Sequence, residues 1–256
     1  MRKIWKEITI LLIQLFMFYI FPLFAGPTDI MGMVFLILVS TFILAIIFAS
    51  ISKEKWKYMF YTISHPMDGY YWIRHADRGS VPLAILMVII FSACFTANRL
   101  LASFVVNDLD PRGVDSLYEL LGVLAFYLLL CVSNWSVTCL MNGEGRLKDI
   151  AIAIGYGTVP ISVVLFAATV ISQFIADDEQ AFYGLLLAVG IAYGVIMMLI
   201  GIMQVHNYTL GKTLLTLFIT MLALLIIVFL LLLLSNLLGM VINFFKSIYT
   251  EIIFRT

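Results

Sequence analysis

The stretch LLTLFITMLALLIIVFLLLLLS, residues 214–235, decides the fold class because it is uncharged and long enough to cross a lipid bilayer as an α-helix. A hydrocarbon core about 30 Å thick needs roughly 20 apolar residues in a helix that rises 1.5 Å per residue. Six further apolar stretches are residues 8–24, 30–49, 81–104, 120–140, 150–175 and 181–205. They lack the alternation of membrane β-strands. The sequence therefore predicts an all-α, polytopic helical membrane protein with seven spans.

The composition agrees with a membrane protein. The chain is 63% hydrophobic and 12% charged, whereas soluble domains are about 25% charged. Its mean hydropathy is +1.10. The formal net charge is zero, so no overall electrostatic attraction to nucleic acid is expected. Membrane lipids are the expected surroundings of most of the chain.

The distribution of lysine and arginine predicts the sidedness of the spans. With the N-terminus in the cytoplasm, eleven basic residues lie in inside segments and four lie in or near outside segments. The inside set is Arg2, Lys3, Lys6, Lys53, Lys55, Lys57, Arg74, Arg78, Arg146, Lys148 and Lys212. Basic residues favour the cytoplasmic side of a membrane. We therefore predict a cytoplasmic N-terminus and an extracytoplasmic C-terminus.

Two domains are predicted. Residues 1–55 are expected to form an uncleaved transmembrane hairpin of two helices, joined by the turn at residues 26–29. Residues 56–256 are expected to contain five spans, preceded by a short helix that lies flat on the inner leaflet. After the last span, residues 241–253 place apolar side chains on one helical face. This pattern predicts a separate interfacial helix on the outer leaflet.

The connector between the fourth and fifth spans combines a turn with polar residues. Residues 142–145 (Asn-Gly-Glu-Gly) end one helix, and residues 146–149 begin the next. Asn134, at the end of the fourth span, is expected to form a hydrogen bond across helices with Tyr156 or Ser136. Pro160 is expected to kink the fifth span. The two interpretations of this region are structural bonding between helices, or a site for a substrate or ion.

No catalytic, metal or cofactor site is predicted. Residues 211–213 (Gly-Lys-Thr) do not form a P-loop, because His206 occupies the position where that motif needs glycine. The spacing of His65, Asp68, His75 and Asp77 matches no metal-ligand pattern. The spans contain no paired nucleophile and base. We therefore expect a protein that is not an enzyme.

Small residues in the sixth span predict close helix packing. Gly190 and Gly194 form a G-x-x-x-G pair, and Gly201 lies further along the same face. In lipid, such residues mark the surface where helix backbones approach each other. The contact could lie within one subunit or between copies, and the second arrangement would produce a homo-oligomer.

Four segments together resemble a known family. They are HPMDGYYWIRHADRGS (residues 65–80), SNWSVTCLMNGEGRLKDIAIAIGYGTVP (133–160), HNYTLGKT (206–213) and IYTEIIFR (248–255). Residues 56–255 resemble the bacterial branch of the Yip (Ypt/Rab-interacting) family of integral membrane proteins. The resemblance implies a five-span domain with an exoplasmic C-terminus, in a bacterial cell membrane. Eukaryotic relatives bind Rab GTPases in vesicle transport, and bacterial relatives often lie beside genes for sugar-uptake transporters.

The sequence leads to two hypotheses for the function of this protein. The preferred hypothesis is a non-enzymatic membrane scaffold or accessory protein that docks a membrane or cytoplasmic protein, with a sugar-uptake transporter as a candidate partner. The expected docking residues on the cytoplasmic face are Arg74, Arg78, Glu144, Arg146 and Lys148. The alternative is a permease or channel component that moves a small solute along a path near Asn134, Tyr156 and Gln204.

Overall fold

The computed structural model describes residues 53–107, 109–110 and 113–254, and this part of the chain is helical without a strand. The first two predicted spans, and nearly all of the predicted hairpin, lie outside the described residues. The α-helices are α1 (Lys53–Ser64), α2 (Pro66–Ala76), α3 (Val81–Leu101), α4 (Ser116–Leu140), α5 (Leu147–Ile171), α6 (Gln180–His206) and α7 (Leu210–Phe254). A 3-10 turn, Asp177–Glu179, precedes α6. Helices α3 to α7 are long and apolar enough to span a membrane, as the sequence predicts for this region.

Helix ends differ from the predicted spans where side chains cap the backbone. Helix α4 begins four residues before the predicted span, because the Asp115 carboxylate accepts hydrogen bonds from the backbone N–H groups of Leu117 and Tyr118. An aspartate at this position satisfies N–H groups that have no partner within the helix. Hydropathy alone did not register this first turn, since Glu119 interrupts the apolar run.

Helix α5 is the most buried of the five long helices and forms the centre of the bundle. It packs most extensively against α3 and α6. Glycines allow both contacts: a Cβ atom on Gly155 would lie 2.7 Å from the Cβ of Ala84 in α3. On the other side, a Cβ on Gly194 of α6 would meet the Ile161 side chain and lie 2.9 Å from the carbonyl oxygen of Gly157. The α5 and α6 backbones are therefore in near contact.

Two short helices cover one end of this core. Helix α1 ends at Ser64 and α2 begins with a proline, so the predicted single flat helix is instead a pair that folds back at His65. The Tyr58 hydroxyl in α1 donates to the Gly69 carbonyl in α2 at 2.7 Å. The buried Tyr70 donates to the carbonyl of Ala153 in α5 at 3.3 Å. These bonds attach the pair to the membrane-spanning core.

The last helix corrects the prediction for the C-terminal region. Helix α7 runs without interruption for 45 residues, so the predicted span and the predicted interfacial helix are one element. Gly239 does not break it, because a single glycine costs a helix only about 1 kcal/mol and no proline follows. At 1.5 Å per residue the helix is about 67 Å long, more than twice the thickness of a hydrocarbon core. Among the described residues, only the first half of α7 packs on the bundle, mainly against α4.

Candidate functional site

Three connectors meet at one end of the bundle. They are residues 77–80 between α2 and α3, residues 141–146 between α4 and α5, and residues 207–209 between α6 and α7. We call this region, together with the adjoining α1 and α2 and the first residues of α5, the basic end. It contains three of the four segments on which the family resemblance depends.

The 141–146 connector lies against the end of α6. Asn142 has the left-handed φ of 54°, and the N–H of Gly143 donates to the Thr138 carbonyl at 2.8 Å. A Cβ on Gly143 would lie 2.6 Å from Nδ1 of His206, and a Cβ on Gly145 would lie 2.5 Å from Cγ1 of Val205. Both glycines are therefore required by close approach to α6.

His206 fixes the position of the 141–146 connector through a hydrogen bond. Its imidazole is buried, and Nδ1 accepts a hydrogen bond from the N–H of Gly145 at 3.1 Å. In the neutral ring the proton therefore lies on Nε2. The ring stacks on Tyr208, whose hydroxyl donates to the Met141 carbonyl at 3.2 Å. The sequence does not predict this role, because the N–H group that His206 accepts belongs to Gly145, 61 residues away.

Glu144 lies on the same connector but does not pack against α6. Its side chain is exposed and has no hydrogen bond or salt bridge with any described residue. The neighbouring glycines on both sides are fixed against α6. A free carboxylate therefore stands on a connector whose backbone position is well determined.

Charged residues join two connectors beside Glu144. The Asp77 carboxylate forms salt bridges with Arg146 and Lys148, and the Lys148 contact is 2.9 Å. The hydrogen bonds from Lys148 and Arg146 hold the pKa of Asp77 below its ordinary value. Arg146 also contacts Asp149 at 2.8 Å, and that bond raises the pKa of the guanidinium. Two of the predicted docking cations are thus partly engaged within the protein.

The remaining predicted docking residues lie at the same end. Arg74 accepts a 3.5 Å contact from Arg146 at its backbone carbonyl. The guanidinium of Arg78 lies 5.8 Å from the ring centre of Tyr58 and 5.7 Å from that of Trp72. The structure therefore places all five predicted docking residues at the basic end, where the Glu144 side chain is exposed and forms no hydrogen bond or salt bridge with a described residue.

The predicted intramembrane polar residues form hydrogen bonds with different elements of the fold. Asn134 donates to the Thr220 hydroxyl of α7 at 3.2 Å, so its bond across helices is present but with neither of the expected partners. The Tyr156 hydroxyl accepts from the backbone N–H of Ser80 at 3.3 Å. Gln204 contacts the Met67 sulfur at 3.6 Å. Pro160 lies inside α5, which continues to Ile171. These side chains bond to separate elements.

An ion pair at the opposite end was also missed from the sequence. Arg99 in α3 forms a salt bridge with Glu119, which is in the first turn of α4. The Thr96 hydroxyl donates to the same carboxylate at 2.7 Å. Glu119 lies just outside the predicted span, so hydropathy does not predict its pairing with Arg99. Pairing and hydrogen bonding make such charges tolerable near lipid.

Metal-binding chemistry finds no support in the part of the chain that the structure describes. No group of three or more His, Cys, Asp or Glu residues there is placed to hold a metal ion. His65 stacks on Tyr61, and His75 stacks on Tyr71. Both imidazoles therefore pack against tyrosine rings of the α1–α2 pair.

Comparison with protein families identifies the family of this chain. The family described as Yip1 domain matches residues 60–248, from the middle of α1 to near the end of α7. The chain belongs to the Yip1 domain family. With its five apolar helices, this Yip1 domain protein is a multi-pass integral membrane protein. Comparison with curated proteins and with solved structures gives no significant match.

Proposed function

We propose that this Yip1 domain protein is a non-enzymatic membrane scaffold that docks a protein partner at its basic end, with Glu144 as the central contact. The observation that carries the proposal is the free, exposed carboxylate of Glu144 on a connector fixed by Gly143 and Gly145. Binding residues are commonly found on loops that a rigid scaffold positions. A preformed loop also loses less conformational entropy on binding.

The charges around Glu144 suit recognition of a basic group on the partner. Asp77 already neutralises part of the charge on Arg146 and Lys148 through its salt bridges. Glu144 has no such partner among the described residues, so its carboxylate can accept a charge-assisted hydrogen bond from an arginine or lysine of another protein. A sugar-uptake transporter in the same membrane is the first candidate partner.

The basic end faces the cytoplasm in this proposal, and the membrane is a bacterial cell membrane. The positive-inside distribution supports this orientation, with the N-terminus inside and the C-terminus outside. Reporter fusions after Ser80 and after Thr256 should therefore give opposite sidedness, and equal sidedness would contradict the arrangement.

A scaffold has more support than a permease. The solute path of the alternative requires Asn134, Tyr156 and Gln204 to line one route. Their hydrogen bonds instead reach α7, the α2–α3 connector and α2, respectively. His206, the buried histidine of the described chain, uses Nδ1 to hold the Gly145 N–H. These polar groups therefore connect elements of the fold through hydrogen bonds.

The test is co-purification of the Glu144→Gln variant in mild detergent, followed by quantitative identification of the bound proteins. Gln keeps the size of the side chain and removes its charge. We expect a specific partner to fall by about tenfold or more, as loss of a charge-assisted hydrogen bond predicts. Asp178→Asn, an exposed acidic residue in the 3-10 turn before α6, is the matched control. Equal recovery of the same proteins with Glu144→Gln would contradict the docking role.

A further inference from the structure

A second candidate site lies beside the pair α1–α2, apart from Glu144. An open cavity of about 490 Å³ is formed there by three cations, three aromatic rings and one carboxylate. The lining residues are Glu54, Lys55, Lys57, Tyr58, Tyr61, Trp72 and Arg78. Its positive side chains outnumber its single acidic one, so the cavity favours an anion.

The three cations differ in what they can offer a ligand. Lys55 donates all three of its N–H bonds to the carbonyls of residues 77, 78 and 79, at 2.9 to 3.1 Å. It therefore contributes charge and holds the α2–α3 connector in position. Lys57 and Arg78 are exposed and have no carboxylate partner among the described residues. Their N–H groups remain available to a ligand.

The aromatic rings orient the guanidinium of Arg78. It lies within 6 Å of the ring centres of both Tyr58 and Trp72, a distance typical of cation–π contact. Because these two rings already hold a cation, the cavity does not suit a quaternary ammonium group. A guanidinium held between rings is instead pre-organised to bind a phosphate.

The position of the cavity relative to the membrane indicates the source of the phosphate. Arg78 lies three residues before Val81, the first residue of the membrane-spanning helix α3. Two of the aromatic side chains that line the cavity are exposed, Tyr61 (40%) and Trp72 (44%). Side chains with apolar bodies and polar tips favour the headgroup layer. A position next to the start of a spanning helix, with such side chains exposed, favours a phosphate from a lipid headgroup as the ligand.

We propose that this cavity binds the phosphodiester of an anionic phospholipid, with Arg78 and Lys57 as the donors to phosphate and Trp72 and Tyr61 against the lipid backbone. The site is independent of docking at Glu144. It would anchor α1 and α2 to the membrane surface next to the docking connector.

The experiment measures binding of short-chain phosphatidylglycerol to the full-length protein in a neutral detergent, by thermal stabilisation over a lipid titration. We expect saturable stabilisation, and Arg78→Gln should weaken the apparent affinity by roughly tenfold or more. Lys57→Gln is the second variant, because Lys57 forms no hydrogen bond or salt bridge with a described residue whose loss would disturb folding. Lys212→Gln removes a cation in the first turn of α7, next to the basic end. The Lys212 ammonium lies 4.0 Å from the centre of the Tyr208 ring, and Lys212 does not line the cavity. That control should bind within twofold of the wild type.

Two further ligands separate the possible sources of the effect. Inorganic phosphate at the same concentrations should not stabilise the protein, since it lacks the lipid backbone that the rings contact. Phosphatidylethanolamine should bind more weakly, because its ammonium group offsets the phosphate charge. Equal stabilisation by either ligand, or an equal loss with Lys212→Gln, would overturn the proposal of an anionic-lipid site.

Discussion

At the residue scale, two glycines hold the connector that carries Glu144, and Gly145→Ala tests their importance. The new Cβ would lie 2.5 Å from Cγ1 of Val205 and 2.6 Å from Cε1 of His206, and both side chains are buried. Because neither neighbour can move freely, we expect a loss of about 1–3 kcal/mol in the free energy of unfolding. Thermal melting in detergent measures it. Gly211→Ala, at the same end but with nothing within 4 Å, should be neutral or stabilising.

Asp77 makes the contact between connectors sensitive to acid. Its pKa is lowered from an ordinary value of 3.8 by Lys148 and Arg146, so folding favours the charged form. The stabilisation is present above about pH 4 and is lost as the pH falls through the lower pKa of the folded state. Asn tolerates the left-handed φ of 50° at this position, so Asp77→Asn removes only the charge.

We expect Asp77→Asn to increase hydrogen exchange in the α2–α3 connector at neutral pH. The difference from the wild type should become smaller at acidic pH, as the pH falls through the lowered pKa of Asp77 and the carboxylate is protonated. Hydrogen exchange followed by mass spectrometry measures this. A difference of the same size at both pH values would show that the salt bridges are not responsible.

The residues of the site were partly predictable. The Asn-Gly-Glu-Gly sequence predicts a tight turn that exposes Glu144, since those residue types favour turns. The roles of His206 and Lys55 were not predictable, because their partners are backbone groups of distant segments. Gly145 is 61 residues from His206, and only tertiary packing brings them together.

At the scale of the elements, the contact between α5 and α6 depends on small residues. Gly190 and Gly194 face Val164 and Ile161 of α5, so this stripe is used within the subunit. Gly194→Leu should lower the free energy of unfolding by about 1–3 kcal/mol or more, because the leucine side chain would force the two helices apart. Thermal stability in detergent measures the effect. Gly184→Leu, in the same helix with open space around it, is the control and should melt like the wild type.

Helix existence was easier to predict than helix ends. Hydropathy identified α3 to α6 because each carries a long uncharged run, and their observed ends lie within about four residues of the predicted ones. Helix α4 begins before its predicted start because the Asp115 side chain caps it. Hydropathy does not detect a cap that one side chain provides. The single long α7 was missed because amphipathic patterning of residues 241–253 was interpreted as a separate helix. Patterning shows which face is apolar, but it does not show where a helix ends.

At the scale of the whole molecule, the alternation of long helices brings the functional segments together. The α4–α5 and α6–α7 connectors must lie at the same end of the bundle as the α2–α3 connector, since one pair of spans separates each from the next. Salt bridges and the His206 bond then join all three connectors. The bundle thus gathers segments that are far apart in sequence into one surface around Glu144.

Photo-crosslinking in intact cells is the most direct measurement of whether that surface docks a partner. A photoreactive amino acid is placed at position 144 of the full-length protein, and at position 178 at the other end as the control. We expect a discrete crosslinked product from position 144 that contains a second protein, and none from position 178. Absence of a product at 144, or the same products from both positions, would contradict a docking surface at the basic end.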